Sequence, residues 1–334
     1  MTYALRFSFF FLLLSLCSSC ATQEIPSPIK IGIANSRTSL PLIVAFKENF
    51  FLDENLCVEL ITFENGKTKD NAFQRNRTEG MISSLPQCLA MKQETPDLKV
   101  ISAIRGGGRK EGRYAIVSKP FSSIHHLKDL KGKTIAVSTD STSEFVTDQL
   151  FKNEGLSPTI VEKVCIYSLS NRLNNLLKGV YDAATFPEPL ITFAKSNGCH
   201  VIADDTQKSL SYHVVAFHDT WLENNPSKAR GFLRALNKAI KAINKNPKKY
   251  YQQLLEIASE PNSEPDSFRS VLLAIPTAPK NFNEDHVIPA FSYKKIPTRE
   301  HFKQVSCWLK EKKFLHKNIS YSDLITGKYL KEET

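Results

Sequence analysis

Short, nearly continuous apolar runs alternate with amphipathic stretches along most of the chain. Residues 29–34, IKIGIA, have the character of a strand buried on both faces. Leu42, Ile43, Ala45, Phe46 and Phe50 then recur at helical spacing. That helix follows a polar turn at 35–39, with Ser39 placed to cap it and Pro41 in its first turn. The alternation continues with strands at 57–63, 80–84 and 98–104 and helices at 70–75 and 85–94. Such a pattern predicts a parallel sheet covered by helices.

A glycine-rich basic turn at 105–112, RGGGRKEG, interrupts the rhythm. A strand at 114–118 and the Pro120 turn follow, and a second α/β run begins. Its opening unit is residues 127–155, with a strand at 134–137, a Ser/Thr-rich turn at 138–143 and an amphipathic helix. Ser141 and Glu144 form a capping-box pattern, and Gly155 is placed to end the helix. Strands at 160–167, 181–186 and 200–203 alternate with helices at 170–178 and 190–196, which Gly179 and Gly198 terminate. An apolar strand at 212–217 follows. Beyond it the chain is helical. Ala229, Phe232, Leu233, Leu236, Ile240 and Ile243 make one stripe. A helix is expected after Asn246-Pro247, with others at 267–274, 299–312 and 320–329 and a long polar loop at 282–297. Two α/β runs joined by one strand out and one strand back predict two lobes on a two-strand hinge. The expected division is 29–117 with 218–334 for lobe one, and 118–217 for lobe two.

The amino terminus is a different object. Arg6 precedes a ten-residue apolar run at 7–16, too short to span a bilayer. Residues 1–19 read as a secretory signal peptide. The small residues before Cys20 resemble a bacterial lipobox, making Cys20 the expected lipidation site and 20–28 a tether to the membrane. The hydrophobic fraction of 41% supports sizeable cores and excludes a disordered or fibrous chain. Net charge is +10, but the lysines and arginines are scattered over helical faces. In an exported chain that argues against nucleic acid, and weakly for approach to an anionic surface or an acidic partner. Five cysteines remain after the signal, widely spaced, with no zinc or redox motif. Four of the five have apolar neighbours and are expected as small buried hydrophobes; one disulfide is open to them with no pair singled out, and no metal site is expected.

Taken together, the segments resemble type II solute-binding proteins of ABC importers. The similar subgroup handles sulfonates, taurine, nitrate and thiamine-precursor pyrimidines. The resemblance rests on residues 31–34 with the 40–46 helix, 79–86 (EGMISSLP), 127–137 (LKDLKGKTIAV) and 177–189 (LKGVYDAATFPEP). It implies two mainly parallel sheets flanked by helices, extra C-terminal helices, an interlobe cleft, hinge closure on a small molecule, permease partners, a monomer and no cofactor.

Ligands of α/β sheets sit beyond the carboxyl ends of the strands. By position the candidate ligand residues are Asn35, Ser36, Arg37, Ser84, Arg105, Ser138, Thr139, Thr142, Phe186, Glu188 and Tyr212. Arg37 and Arg105 decide ligand charge: pointing into the cleft they suit a sulfonate or carboxylate, and facing solvent they leave an uncharged heterocycle favoured. Phe186, Tyr114 and Tyr212 are candidates to stack on a ring. Phe186 also departs from the resemblance, since Trp is common in that region. An enzyme of the same fold and a surface lipoprotein for a protein partner are the alternatives. The sequence holds no ordered catalytic set, and the glycine-rich turn lacks the Lys-Ser/Thr of a phosphate loop. His125 and His126 read as solvated, and His213 lies near the hinge.

Overall fold

The computed structural model describes residues 27–34, 36–63, 66–105, 114–207, 210–250, 253, 290–292 and 295–330. The signal segment, Cys20, Asn35, the glycine-rich turn after Arg105 and the expected 267–274 helix lie outside the described residues. So do most of the expected 282–297 loop and all but one residue of the stretch after Tyr250.

Two five-stranded sheets organise the chain. The first contains β1 (Ile29–Ala34), β2 (Val58–Phe63), β3 (Gly80–Ser84), β4 (Leu98–Arg105) and β10 (His213–His218) in the order β2-β1-β3-β10-β4. The second contains β5 (Tyr114–Ser118), β6 (Thr134–Val137), β7 (Glu162–Cys165), β8 (Ala183–Pro187) and β9 (Val201–Asp204) in the order β7-β6-β8-β5-β9. In each sheet four strands run in one direction, and a strand from beyond a crossing inserts antiparallel to both its neighbours. The two sheets therefore share one plan.

That plan corrects the expected lobe boundaries. β5 pairs with β8 and β9, not with β4, and β10 pairs with β3 and β4. The chain has already changed sheets by Tyr114 and by His213, where the two strands start. The apolar pattern of such a strand is the same whichever sheet accepts it, so the pattern does not locate the crossing.

The helices follow their sequence signals closely. α1 (Leu40–Lys47) carries Pro41 in its first turn. Ser39, expected as its cap, instead donates its hydroxyl to Ala34 O at 2.7 Å. α2 (Gly66–Gln74) precedes β3, and Ser84 caps α3 (Leu85–Met91), accepting from Gln87 N–H. Ser141 caps α4 (Thr142–Asn153) through Ser143 N–H, while the Glu144 carboxylate reaches Asp140 N–H at 2.9 Å rather than the cap residue itself. Ser168 caps α5 (Leu169–Leu177), and α6 (Leu190–Ser196) follows β8. The stop positions Gly155, Gly179 and Gly198 take φ of 71°, 73° and 82°, where a side chain would be strained. α7 (Asp219–Asn224) leads into the long α8 (Pro226–Lys245). α9 (Arg299–Glu311) and the short α10 (Tyr321–Leu324) close the described chain.

Three apolar clusters result. One lies between the first sheet, α1 and the stripe of α8, where Phe232 stacks on Phe51 and meets the Phe217 ring edge-on, with centroids 5.2 and 5.1 Å apart. Burial of one such ring is worth about 3 kcal/mol. Gly80 belongs to the same region: a Cβ there would fall 2.8 Å from the Phe217 ring, so β3 and β10 can pair only because that position is bare. A second cluster joins the other face of the first sheet to Ile116, Ile135, Phe145 and Val146 of the second through Val305 and Trp308 of α9. The third packs α5 and α6 on the second sheet. Of the cysteines expected to be buried, Cys88 and Cys199 are; Cys57, Cys165 and Cys307 are exposed, and all five are free thiols.

Candidate functional site

The strand ends of the two sheets lie near enough for charge on one to act on the other, Glu188 after the second sheet's β8 on Arg37 after the first sheet's β1. On the first sheet, register sets a row of polar residues: His213 of β10 pairs with Ser84 of β3 on one side and Arg105 of β4 on the other. Ser84 is occupied by its helix, accepting from Gln87 N–H at 3.3 Å and donating to Gln87 Oε1 at 2.6 Å. Arg37 arrives from the single turn after β1, where the Ser36 and Thr38 hydroxyls bond at 2.7 Å. Both guanidinium side chains are buried, Arg105 with 2% of its surface exposed.

Burial of like charges has measurable electrostatic consequences. Loss of solvation, then the neighbouring Arg105 cation, pulls Arg37 down to about 9, against the opposing pull of Glu188. His213 is pushed well below the ordinary imidazole range by burial and by the Arg105, Lys69 and Arg37 charges. It is therefore neutral at physiological pH. Its Nδ1 is buried without a hydrogen-bond partner, although the residue as a whole is only half-buried. Burial raises the Tyr114 phenol, and Arg105 Cζ lies 5.8 Å from that ring.

The second sheet supplies the facing wall. Tyr114 begins β5 opposite Pro187 of β8, with Glu188 next in the chain. The Glu188 carboxylate accepts from Thr192 N–H at 3.1 Å and Thr192 Oγ1 at 2.9 Å, capping α6, while its charge bears on Arg37 across the gap. At the end of β6 the hydroxyls serve their own turn. Ser138 N–H donates to Ser143 Oγ at 3.0 Å, and Ser141 Oγ donates to Ser138 O at 2.7 Å. Thr142 is buried as the first residue of α4.

Three expected positions are not brought into the cleft. Thr139 is turned to the sheet edge, its hydroxyl 2.8 Å from Cys165 Sγ and 3.0 Å from the Tyr167 hydroxyl. Phe186 is fully buried in the α5–α6 cluster, because alternation along β8 sends its ring to the helical face. Tyr212 packs beneath α9, its ring centroid 4.2 Å from that of His301.

Two residues overlooked in the sequence organise this site. Arg172 of α5 is fully buried and donates from Nε to Ile166 O at 3.1 Å, from Nη1 to Thr185 O at 2.9 Å and from Nη2 to the Ser138 hydroxyl. It ties the ends of β6 and β8 together. A cation at 172 on a stripe formed by Leu169, Leu173 and Leu176 was a legible signal. Asp205 ties the two crossings: its carboxylate accepts from Tyr114 N–H at 2.8 Å and from Ser211 Oγ at 2.9 Å. Burial raises this carboxyl despite both bonds. Among the described residues no cluster of three or more His, Cys, Asp or Glu could hold a metal ion, and no helix is long and apolar enough to cross a membrane.

Sequence comparison matches residues 36–250, which carry most strands of both sheets and Arg37, Arg105 and Glu188, to the NMT1/THI5-like family. The chain belongs to that family. No curated protein matches its sequence. Similar solved structures include the periplasmic aliphatic sulphonate binding protein SsuA of Escherichia coli, with 15% identity and TM-score 0.71 over 89% of this chain and 96% of that one. A putative periplasmic sulfonate-binding protein of Methylobacillus flagellatus aligns with 14% identity and TM-score 0.70, covering 90% and 92% of the two chains. The periplasmic nitrate-binding protein NrtA of Synechocystis gives 11% identity and TM-score 0.64 over 90% and 86%. This NMT1/THI5-like chain shares the fold of these periplasmic binding proteins, with two mixed sheets flanked by helices.

Proposed function

We propose that this chain is the solute-binding component of an ABC importer and captures a small organic anion, a sulfonate or a close relative, in the cleft between its sheets. The observation that carries this reading is the buried guanidinium pair. Arg37 and Arg105 stand at the carboxyl ends of first-sheet strands, and each lowers the cost of bringing an anion between them. The binding functions named for the sulfonate- and nitrate-binding neighbours support the same class. Closure turns one sheet against the other. This divides the chain by sheet, β1–β4 with β10 in one lobe and β5–β9 in the other. Export, a lipid at Cys20 and docking on a permease complete the proposal.

The test is mass spectrometry of small molecules released from the purified protein, followed by thermal shift with taurine, an alkanesulfonate, nitrate and a thiamine-precursor pyrimidine. A sulfonate is expected to raise the melting temperature through linkage. Arg105→Met should weaken that ligand at least about tenfold. Absence of any released molecule and of any shift would sink the proposal. A shift with the pyrimidine alone would overturn the anion assignment.

A further inference from the structure

The end of the second sheet opposite Glu188 carries an aromatic side chain for which the fold has no packing use. Phe121 is 89% exposed, and its backbone φ is 54°, a left-handed conformation that bulky residues rarely adopt. Its N–H donates to Gly198 O at 3.0 Å, and the ring lies over that glycine, where a Cβ would come within 3.0 Å of it. The backbone is thus held so that the ring stands outward. Val180, 65% exposed, follows Gly179, over which the Lys119 stem passes. His125 and His200 flank the same end with ring centroids 4.8 Å apart.

The surrounding charge is basic. Lys128, Lys131, Lys133, Lys178 and Lys195 are exposed and come from the loops and helix ends at this pole. The acids nearest Phe121 are engaged locally. Asp182 pairs with Lys119 at 2.9 Å and accepts from Thr134 N–H, and Asp129 accepts from the His125 and His126 N–H groups. Glu154 and Glu162 lie toward the β7 edge, away from β5, although Glu162 stands beside Lys133, donating its N–H to Lys133 O at 2.9 Å.

We infer that this pole docks on a bilayer surface carrying anionic headgroups, with Phe121 entering the boundary between headgroups and acyl chains. A protein partner fits these residues less well. Lysine is depleted at protein interfaces, and one ring beside one valine offers no contiguous apolar core to pack. An anionic bilayer needs neither shape complementarity nor ordered lysines. It attracts flexible cations within a Debye length and accepts an isolated aromatic at its boundary. The surface lies at the opposite end of the strands from the cleft, so docking leaves the ligand site open.

The experiment uses the full chain carrying Phe121→Trp and, as a positional control, Phe46→Trp. Phe46 is 51% exposed but lies on α1 of the first sheet. Each is mixed with vesicles of brominated phosphatidylcholine, with or without phosphatidylglycerol, and the emission of the unsubstituted chain is subtracted to remove Trp221 and Trp308. Phosphatidylglycerol vesicles should quench the Phe121→Trp signal about twofold with a blue shift. Raising salt should release it, and adding Lys133→Glu with Lys178→Glu should abolish it while the melting temperature is kept. The Phe46→Trp signal should not respond. Equal quenching at both positions would mean that a distant anchor merely brings the chain near lipid, and would overturn the inference. So would equal quenching by neutral vesicles, or burial of the Phe121→Trp ring by purified permease with no response to lipid.

Discussion

The clearest acid-sensitive element is His301, in the first turn of α9. It is buried between the Tyr212 ring, 4.2 Å away by centroid, and the edge of Phe145 at 5.9 Å. Burial holds its imidazole down to about 4, from an ordinary 6.5. The folded state therefore resists a proton that the unfolded chain accepts, so stability rises with pH between these values and is lost as pH falls from 6.5 toward 4. At pH 4.5 the unfolded chain is almost fully protonated at this site and the folded chain mostly is not, which makes the loss on the order of 2 to 3 kcal/mol. Nε2 is buried with no hydrogen-bond partner, so replacing the ring by an apolar one removes the titration and gives up only the bond to the Gln304 side chain, which is half-buried. The perturbation is His301→Phe, and the assay is urea unfolding of both chains from pH 7.5 to 4.5. Near pH 7.5 the two should agree within about 1 kcal/mol. At pH 4.5 the variant should be the more stable by roughly 2 to 3 kcal/mol. Carboxylates and His213 titrate alike in both, so the difference isolates His301. Parallel stability–pH curves would refute the reasoning.

Two further substitutions probe buried charge. Lys312 reaches from just beyond α9 to Glu144 Oε1 at 2.6 Å and Asp148 Oδ2 at 3.2 Å, beside Lys163 and the Trp308 indole, which donates to Asp148 at 2.9 Å. Lys312→Met should cost about 3 kcal/mol in urea unfolding by leaving two buried carboxylates with one ammonium, and Glu144→Gln in the same chain should recover part of it; additive losses would show that the pair is uncoupled. Arg172→Met should cost at least about 3 kcal/mol and weaken ligand binding together, because it releases the ends of β6 and β8. Arg172→Lys should not restore either, since a single ammonium cannot reach three acceptors laid out for a planar fork. Full rescue by lysine would reduce the site to simple charge.

How much of this was legible in the sequence follows from what each signal encodes. Apolar periodicity and caps gave strands and helices near their observed bounds, Ser141 and the glycine stops among them. Periodicity reports burial, not partners, so YAIVS at 114–118 read equally well as the last strand of one sheet or as the inserted strand of the other. Position at a strand end marked Arg37, Arg105 and Glu188 for the cleft. It also marked Phe186, whose orientation is fixed by alternation along β8 and by the apolar bed that α5 and α6 provide. The Ser/Thr turn at 138–143 looked like a set of ligand donors. Such residues bond their own backbone first, and here Ser138, Ser141 and Ser143 do so.

The inserted strands explain why the cleft has the composition it has. Each begins at the cleft and runs antiparallel to its neighbours, so its first residue stands among the carboxyl ends of parallel strands. His213 holds that place in the first sheet and Tyr114 in the second. A strand that has just left one sheet cannot begin with backbone groups satisfied by it, and Asp205 fills the deficit, accepting from Tyr114 N–H and from Ser211 beside His213. One carboxylate thus fixes the spacing of both crossings. In the proposed reading, an anion between Arg37 and Arg105 would offset the neighbouring cation that, after burial, holds Arg37 down, and so would favour an arrangement in which the two walls are close.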